Sequence, residues 1–240
     1  MARSDPPILM LDGIVAGYGK KRVLDGVNIG VATGEAIALI GHNGAGKTTV
    51  LQTIFGLQRP WEGQVEIDGA PLGARYSPAN AVALGLAMIP AERFVFPDLT
   101  VMENLLLSAR TLLPGVRRER LERALDDYPI LRERRSQIAG TMSGGQQRMV
   151  SLAMALMTRP RLLLLDEPSL GLAPAITDQI MSRVRALVDH GMSVILVEQN
   201  IPAALTVADR VYVLRSGQIL LEESAAEMNA RGRENWWKLF

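Results

Sequence analysis

The residues best suited to chemistry lie in a glycine-rich segment that follows a short apolar run. The run from Ala36 to Ile40 predicts a buried strand, and the sequence then continues as Gly41, His42, Asn43, Gly44, Ala45, Gly46, Lys47, Thr48 and Thr49. The three glycines let backbone N–H groups converge on an anion, and Lys47 adds a point charge. The Thr48 hydroxyl can ligate Mg²⁺ at the positive end of the following helix. The segment therefore predicts a site for the phosphates of a nucleotide.

Two carboxylates follow a second apolar strand. The four leucines from Leu162 to Leu165 predict a fully buried strand, and Asp166 and Glu167 come directly after it. Open α/β proteins place their ligands at the ends of parallel strands, so we expect these charges to meet the phosphates. Asp166 is suited to hold Mg²⁺ through its water shell, while Glu167 can orient or deprotonate the water that attacks the γ-phosphate. In the structural alternative, both carboxylates only cap the next helix.

A third segment offers a second anion site. The helix predicted from about Gln147 to Met157 is preceded by Thr141, Met142, Ser143, Gly144, Gly145 and Gln146. Ser143 and the two glycines expose N–H donors at a helix N-terminus, which attracts anions. One chain has no evident need for two such sites, so we expect this one to face the ATP held by another subunit. Taken alone, the segment also fits an ordinary N-cap and turn.

The elements that must position these segments predict an α/β fold with a mixed sheet core. Short β-like runs surround the glycine-rich segment, and turn signals separate them. The runs are Ile8 to Leu11, Val23 to Val31 and Val65 to Ile67, and the turn signals are Asp12-Gly13, Thr33-Gly34 and Asp68-Gly69. The front third of the chain is therefore expected to be an N-terminal antiparallel β region with one helix, from Lys47 to about Gly56.

The rest of the chain predicts a helical lobe inserted between strands. From Thr100 to about Arg135 the apolar residues recur at helical spacing. Three later apolar runs, at 162–165, 194–197 and 211–214, alternate with helix-length segments, which is typical of a parallel sheet covered on both faces. A Ser216-Gly217 turn then predicts a hairpin partner at 218–221.

Composition excludes several function classes. The 240 residues are 48% hydrophobic, enough for a sizeable core, and the formal net charge of +1 offers no field for holding nucleic acid. The absence of cysteine excludes thiol catalysis and disulfides and favours a reducing compartment. The sequence shows neither the apolar core of a signal peptide nor a run of roughly 20 apolar residues that could span a membrane. We therefore expect any membrane association to be peripheral.

With these three segments in one chain, the sequence resembles the ATPase subunits of ABC transporters over nearly its whole length. GHNGAGKTT looks like the Walker A loop, MSGGQ like the signature motif and LLLLDE like Walker B. The resemblance implies a P-loop NTPase fold of the ABC ATPase type in a single domain, 1–240. Within it, 1–90 and 160–240 form a RecA-like core with the β subdomain, and about 91–159 form the helical lobe with the signature motif.

The same resemblance implies ATP, Mg²⁺ and a second ATPase subunit. In this family two ATPases dimerise head to tail, so that each ATP lies between Walker A of one chain and the signature of the other. Tyr18, a little upstream of the first strand pair, matches the aromatic residue that stacks on adenine. A lone tyrosine also fits simple packing.

Three positions depart from the general family pattern. The glutamine expected after the strand from Leu86 to Ile89 is Ala91, which weakens one contact to Mg²⁺ and water. The switch histidine expected after the strand at 194–197 is Gln199, whose amide can hydrogen-bond the γ-phosphate but cannot carry a charge or shuttle a proton. The aspartate expected after Leu172 is Ala173, so a contact across the dimer interface is in doubt.

Other segments narrow the resemblance. VFPDLTV at 95–101, SLGLAP at 169–174 and VEQN at 197–200 look like the shorter, LivF-type ATPase of branched-chain amino acid importers, and urea and amide importers use close relatives. This implies a heterodimer of two ATPases, or a homodimer when isolated, with two membrane permease subunits and, indirectly, a periplasmic or extracellular solute-binding protein. The chain would then lie peripherally at the cytoplasmic face of the inner membrane.

The sequence also supports two hypotheses on mechanism and leaves open two other classes of protein. The apolar run Phe94, Val95 and Phe96 would serve as a docking groove for a membrane subunit, with burial inside the lobe as the alternative. The site built on Gln199 would hydrolyse ATP more slowly than the site of the partner ATPase. The rivals are a soluble ABC-type ATPase acting on DNA or ribosomes, and a regulatory module that binds ATP without hydrolysing it.

Overall fold

The apolar runs of the sequence form the strands of two sheets. The computed structural model describes residues 6–92 and 95–236. Within these residues the strands are β1 (Leu9–Tyr18), β2 (Lys21–Val31), β3 (Ala36–Ile40), β4 (Glu62–Ile67), β5 (Ala70–Pro71), β6 (Leu86–Ile89), β7 (Leu162–Asp166), β8 (Ser193–Glu198), β9 (Arg210–Arg215) and β10 (Gln218–Ser224).

Helices follow or separate the strands, and prolines or capping side chains start several of them. They are α1 (Lys47–Ile54), α2 (Pro78–Ala83), α3 (Val101–Ser108), α4 (Pro114–Asp127), α5 (Pro129–Glu133), α6 (Gly144–Leu156), α7 (Pro174–Asp189), α8 (Ile201–Leu205), α9 (Ala225–Ala230) and α10 (Arg233–Trp236). Proline at the first helical position is compatible with a helix because its missing N–H has no intrahelical partner there. No helix in residues 6–92 and 95–236 combines the length and apolarity needed to cross a bilayer.

The larger sheet brings the chemically active segments to one edge. Its strand order is β10-β9-β3-β8-β7-β6, and all neighbours are parallel except the antiparallel β9–β10 hairpin. In this register Ile40 pairs with Glu198, and Asp166 pairs with Val197. The carboxyl ends of β3, β7 and β8 are therefore adjacent, which is where an open α/β sheet offers a ligand crevice.

The larger sheet is covered on both faces, as its apolar strands predict. Alternate residues of β3 enter two separate cores, with Ala38 on one face and Leu39 on the other. The first core also contains apolar residues of α3, α4, α5 and α6, so the helical lobe packs against the same face as α7. The second core joins the sheet to α1 and to the four-stranded antiparallel sheet of order β2-β1-β4-β5.

The structure corrects several local predictions. Asp12-Gly13 is not a turn between strands, because it lies inside β1 where the register shifts between Leu11 and Ile14. Tyr18 ends β1 and pairs with Lys21, so it belongs to the first strand pair rather than lying upstream of it. The continuous helical periodicity from Thr100 to Arg135 is divided into α3, α4 and α5, with prolines starting the latter two.

The signature helix also begins earlier than predicted. Helix α6 starts at Gly144 rather than at about Gln147, because Ser143 and Gln146 form a capping box. The Ser143 hydroxyl accepts from the Gln146 N–H at 3.3 Å, and Gln146 Oε1 accepts from the Ser143 N–H at 3.1 Å. Reciprocal bonds of this kind fix the first turn of a helix despite its two glycines.

Candidate active site

The glycine-rich loop runs from the end of β3 into α1 with little room for side chains. A Cβ added at Gly41 would lie 2.3 Å from the Leu214 carbonyl oxygen, and one at Gly46 would lie 2.7 Å from Leu24 Cδ2. Gly46 is the N-cap of α1 and has a φ of 111°, a region that side chains disfavour. Backbone packing and conformation both require glycine here, so the loop can present N–H groups to an anion at the positive end of α1.

Lys47 extends back across this loop. Its side chain is buried, and Nζ donates to the carbonyl oxygens of Gly41 and His42 at 2.8 and 3.1 Å. Nζ also lies 3.5 Å from Glu167 Oε1. The ammonium group is thus held beside both the phosphate-binding loop and the end of β7, where it can neutralise charge on a phosphate.

Thr48 and Asp166 form a hydrogen-bonded pair of side chains that both carry oxygen atoms. The Thr48 hydroxyl donates to Asp166 Oδ2 at 2.8 Å, while Asp166 Oδ1 is buried without a hydrogen-bond partner in the described residues. Burial is the largest cause that raises the pKa of Asp166, and the Thr48 hydrogen bond opposes it. A buried carboxylate oxygen with no partner is costly unless a cation or water completes it. Hard oxygen ligands are those that Mg²⁺ prefers, so this pair fits that ion.

Glu167 points into the same space through an unusual backbone conformation. Its φ is +45°, uncommon for a residue with a side chain, and its N–H donates to the Val197 carbonyl at 2.9 Å. Glu167 Oε1 accepts a hydrogen bond from Gln199 Nε2 at 2.6 Å. The same amide nitrogen donates to Asn43 Oδ1 at 2.7 Å. Gln199 therefore bridges the ends of β3 and β7 from the loop after β8.

Glu198 is a buried residue beside the site that the sequence did not single out. Its side chain is buried, and burial raises its pKa. Glu198 Oε1 accepts from the Ser169 N–H at 2.9 Å, and Oε2 accepts from the Gln199 N–H at 3.2 Å. The carboxyl group thus ties together the loops that follow β7 and β8. A carboxylate at the end of an apolar strand was the available signal for this role.

Arg148 is a second residue that the sequence did not reveal. It lies on the buried face of α6, and its guanidinium donates to the carbonyl oxygens of Pro90 and Ala91 at 3.3 and 3.2 Å. It also lies 3.5 Å from the Glu167 carbonyl oxygen. Burial lowers its pKa, and the charges of Glu198 and Asp166 oppose that effect. An arginine on an otherwise apolar helix face was the only sequence signal.

Tyr18 and Thr49 lie beside the start of α1. The Tyr18 side chain is 48% exposed, and its hydroxyl donates to Gln52 Oε1 at 2.5 Å and lies 3.3 Å from Thr49 Oγ1. The ring is thus tethered by its hydroxyl to α1 while much of its surface remains open. An exposed, anchored aromatic face can accept a stacked base.

The signature segment does not meet the phosphate loop of its own chain through hydrogen bonds. Over the described residues, the side-chain hydrogen bonds of Ser143 and Gln146 stay within their capping box, and the Ser143 carbonyl accepts from the Gln147 N–H of the same helix. Ser143 and Gly144 are exposed, whereas Gly145 is buried, and a Cβ on Gly145 would lie 2.4 Å from Ile176 Cγ2. The segment therefore exposes Ser143 and Gly144, while Gly145 packs against α7.

Of the positions that depart from the family pattern, Gln199 and Ala91 lie close to the Glu167 side of the site, whereas Ala173 lies at the surface. Ala91 accepts a bond from Arg148 through its backbone, and Ala173 is an exposed N-cap of α7 without a capping side chain. Val95 is buried, but Phe96 is 49% exposed. The docking and burial alternatives thus apply to different residues of the run. Arg93 and Phe94 lie outside the described residues.

Comparison with known proteins decides the family. A family model described as ABC transporter matches residues 24–170, more than half of the chain. The chain belongs to the ABC transporter ATPase family. The high-affinity branched-chain amino acid transport ATP-binding protein BraG of Pseudomonas aeruginosa is 41% identical over 92% of this chain and 94% of that protein. The probable branched-chain amino acid transport ATP-binding protein LivF of Archaeoglobus fulgidus is 36% identical over 89% and 90%.

One solved structure of similar fold contains a bound nucleotide. The dimeric post-hydrolysis state of the ATP-binding cassette MJ0796, bound to ADP and Pi, is 25% identical and has a TM-score of 0.80 over 90% of this chain and 98% of that one. The α/β fold, the P-loop NTPase architecture of ABC type and the resemblance noted in the sequence are therefore confirmed. This ABC ATPase binds ATP and couples its hydrolysis to transport.

Proposed function

We propose that this ABC ATPase energises an importer for branched-chain or other hydrophobic amino acids. The observation that carries its chemistry is the cluster of Lys47, Thr48, Asp166 and Glu167 at adjacent strand ends, joined by the 2.8 Å and 3.5 Å contacts described above. The names of the BraG and LivF relatives support the choice of cargo. An ATPase of a related urea or amide importer is the nearest alternative.

The phosphates of ATP are bound by the loop residues 41–49, and Lys47 provides the positive charge. Glu167 orients or deprotonates the attacking water, because its carboxylate lies at the edge of the loop and is held by Gln199. The Gln199 amide can turn from Glu167 toward a γ-phosphate without changing its charge. Tyr18 stacks on the adenine, supported by its exposed ring and anchored hydroxyl.

Thr48 and Asp166 would hold Mg²⁺, which would supply positive charge to offset that of the nucleotide phosphates. The partnerless Oδ1 of Asp166 supports this assignment, because a bound cation or its water would supply the missing contact. Asp166 would act through a water of the ion, and Thr48 would act through its hydroxyl oxygen, which can still donate its proton to Asp166.

A second ATPase subunit completes each nucleotide site. The exposed Ser143 and Gly144 face outward from their own chain, and the Ser143 hydroxyl proton is free to be donated while its oxygen caps α6. We place the γ-phosphate of the ATP bound by the facing subunit against this segment, including Gly145 and Gln146. The second subunit is a different ATPase in the importer, and a second copy of this chain can replace it in isolation.

The two sites of such a heterodimer are unequal. Gln199 cannot take up a proton as a histidine would, and Ala91 provides no side-chain ligand to Mg²⁺ or water. The site on this chain's phosphate loop therefore turns over more slowly than the site on the partner's loop. The site on this chain's phosphate loop is still active, because Glu167 is present to act on the attacking water.

Phe96 docks a membrane permease subunit. Asn104, which is fully buried, accepts from the Phe96 N–H at 2.7 Å and donates to the Phe96 carbonyl at 3.1 Å, so the backbone is fixed while the ring is exposed. Arg148 links the nearby Ala91 carbonyl to the Glu167 carbonyl. A movement of the Glu167 backbone can therefore be transmitted through the Arg148 side chain to Ala91, five residues before Phe96.

The proposal also assigns a role to each part of the chain and a position at the membrane. Residues 1–90 and 160–240 serve as the nucleotide-binding core and about 91–159 as the lobe that meets the permease, within one ABC domain. The chain lies peripherally at the cytoplasmic face of the membrane. Substrate reaches the two permease subunits from a solute-binding protein that this chain does not touch.

Reconstituted uptake tests this function. The chain is co-expressed with the subunits that co-purify with it and placed in vesicles, and uptake of labelled leucine is measured with and without ATP. We expect ATP-dependent uptake, with Phe96→Asp losing uptake but keeping ATP binding, and with Leu113→Asp as the matched exposed control. Normal uptake by Phe96→Asp would refute docking at this residue. Co-purification of ribosomes or nucleic acid instead of membrane subunits would favour the soluble ABC class.

A further inference from the structure

A cleft of about 440 Å³ lies at the edge of the larger sheet opposite the phosphate loop. One wall comes from α4 and Tyr128 of the helical lobe, and another from the end of α7. The floor includes residues just before β3, β7 and β8, at the amino ends of these strands. The cleft is therefore separate from the nucleotide site and joins the lobe to the core.

Arg120 supplies this cleft with an uncommitted positive charge. Of the lining arginines, Arg123 faces Asp127 at 3.9 Å, Arg159 faces Glu119 at 3.3 Å and Arg161 faces Asp68 at 2.8 Å. Arg120 has no carboxylate within 4 Å in the described part of the chain. One of its terminal nitrogens donates to the Met157 carbonyl at 2.8 Å, and its buried Nε has no partner there.

Tyr128 adds a hydroxyl without a partner. Its side chain is only 6% exposed, and over the described residues its hydroxyl makes no hydrogen bond. The Arg183 guanidinium lies 5.7 Å from the centre of its ring. Burial raises the pKa of Tyr128 to about 12, so the hydroxyl remains a donor at neutral pH. The hydroxyl is not fully enclosed by protein, so an acceptor bound in the cleft can receive its hydrogen bond.

The rest of the lining is largely apolar. Leu156, Leu187, Met192 and Ala153 contribute side chains to it, together with Ala124 of α4. The polar remainder includes His190, whose Nδ1 lies 2.6 Å from the Ala186 carbonyl oxygen. One uncommitted cation and one neutral donor match a monoanion, and the apolar wall matches an aliphatic body more closely than it matches inorganic phosphate.

From these contacts we infer that the cleft binds a small aliphatic carboxylate, with Arg120 and the Tyr128 hydroxyl as donors and the apolar wall around its hydrocarbon part. This goes beyond ATP hydrolysis and the proposed cargo, and it does not require either. Because its walls come from both the lobe and the core, the bound carboxylate stabilises the junction between them. Binding there is thus positioned to change how the lobe sits relative to the nucleotide core.

Calorimetric titration of the full chain without nucleotide tests the inference, with 4-methylpentanoate as the probe. The neutral 4-methylpentanamide tests the need for charge, and inorganic phosphate tests the need for an aliphatic body. We expect saturable binding of 4-methylpentanoate only. Tyr128→Phe should weaken it about three- to tenfold, as expected for one hydrogen bond. This variant should keep the wild-type unfolding temperature because the hydroxyl has no protein partner.

Arg120→Gln should weaken binding about tenfold or more, as expected for a charge-assisted contact. Arg118→Gln, an exposed arginine of α4 outside the cleft, is the matched control and should bind as wild type does. Equal affinity for the amide, tighter binding of phosphate, no binding of the carboxylate, or an unchanged dissociation constant in either cleft variant would each overturn the inference. ATP turnover is not part of the readout, so failure here leaves the proposed function untouched.

Discussion

Gln199 Nε2 lies 2.6 Å from Glu167 Oε1 and donates a hydrogen bond to that carboxylate. The same nitrogen reaches Asn43 Oδ1 at 2.7 Å, which ties the carboxylate to the phosphate loop. Two nitrogen groups therefore lie close to Glu167 Oε1, the neutral Gln199 amide and the positively charged Lys47 ammonium. The chemistry of the site depends on this arrangement.

Replacing Gln199 tests whether it orients Glu167. Gln199→Ala removes one hydrogen bond to the carboxylate, so we expect kcat for ATP to fall about tenfold, the effect of a hydrogen bond of about 1.4 kcal/mol. Gln199→Glu places a second carboxylate against Glu167 and should reduce kcat further. Steady-state ATPase assays of the isolated chain, in which a second copy completes the site, measure both, with the exposed Gln64→Ala as control. Unchanged kcat in Gln199→Ala would show that the amide is a bystander.

Glu167→Gln tests the inequality of the two sites. In the assembled complex this change should cost less total turnover than the same change in the partner ATPase, because the site with Gln199 contributes the smaller share. Turnover of the two single variants is compared at saturating ATP, with nucleotide binding measured in parallel. An equal or greater loss from the change in this chain would remove the asymmetry.

Thr48 offers a matched pair of variants for the Mg²⁺ site. Thr48→Ser keeps the hydroxyl, whereas Thr48→Val keeps the shape but removes the oxygen and leaves Asp166 Oδ2 without its donor. We expect Thr48→Val to lower Mg²⁺-dependent ATP turnover about a hundredfold and Thr48→Ser to stay near wild type. Titration of activity with Mg²⁺ measures the difference. Equal behaviour of the two variants would mean that the hydroxyl is no ligand.

Asp166 predicts a pH dependence of stability in the absence of Mg²⁺ and nucleotide. Burial raises the pKa of Asp166 in the folded protein above its ordinary value of 3.8, so the folded state holds this proton more tightly than the unfolded chain. The resulting stability is complete below pH 3.8 and is lost as the pH rises through the raised pKa. The unfolding free energy of the wild type minus that of Asp166→Asn should therefore fall as pH increases across this window.

Urea unfolding at a series of pH values measures that difference, with the exposed Asp178→Asn as control. Asparagine can still accept the Thr48 hydrogen bond, so the variant removes the titration while keeping that contact. A difference that stays constant or grows with pH would contradict the assigned burial effect. Adding Mg²⁺ with ATP should reverse the trend, because the bound ion favours the ionised carboxylate.

The features that the sequence predicts well are local. The strand from Ala36 to Ile40, the phosphate loop and the carboxylates after Leu165 depend on short runs and fixed spacing. The hairpin at Ser216-Gly217 likewise follows from its turn residues, which both have positive φ. These local patterns are sufficient to predict where the site lies, because they do not depend on tertiary contacts.

Features that depend on distant contacts were missed. Arg148 reaches carbonyl groups 57 and 58 residues earlier in the chain, and Glu198 reaches an N–H group 29 residues away, so no local pattern reveals either role. Asp12-Gly13 has the composition of a turn but is held in β1, because Asp12 pairs with β4 and the flanking Leu11 and Ile14 pair with β2. Tertiary pairing prevailed there over local turn chemistry.

The most direct measurement is a structure of the assembled complex loaded with ATP and Mg²⁺, with hydrolysis slowed at both sites by Glu167→Gln in this chain and the same change in the partner ATPase. We predict that each ATP is shared by two subunits. The Ser143 hydroxyl should lie within hydrogen-bond distance of a γ-phosphate whose triphosphate is held by Walker A of the facing subunit. Lys47 should contact the phosphates bound by its own loop. A loaded complex with Ser143 remote from every bound nucleotide would contradict the account.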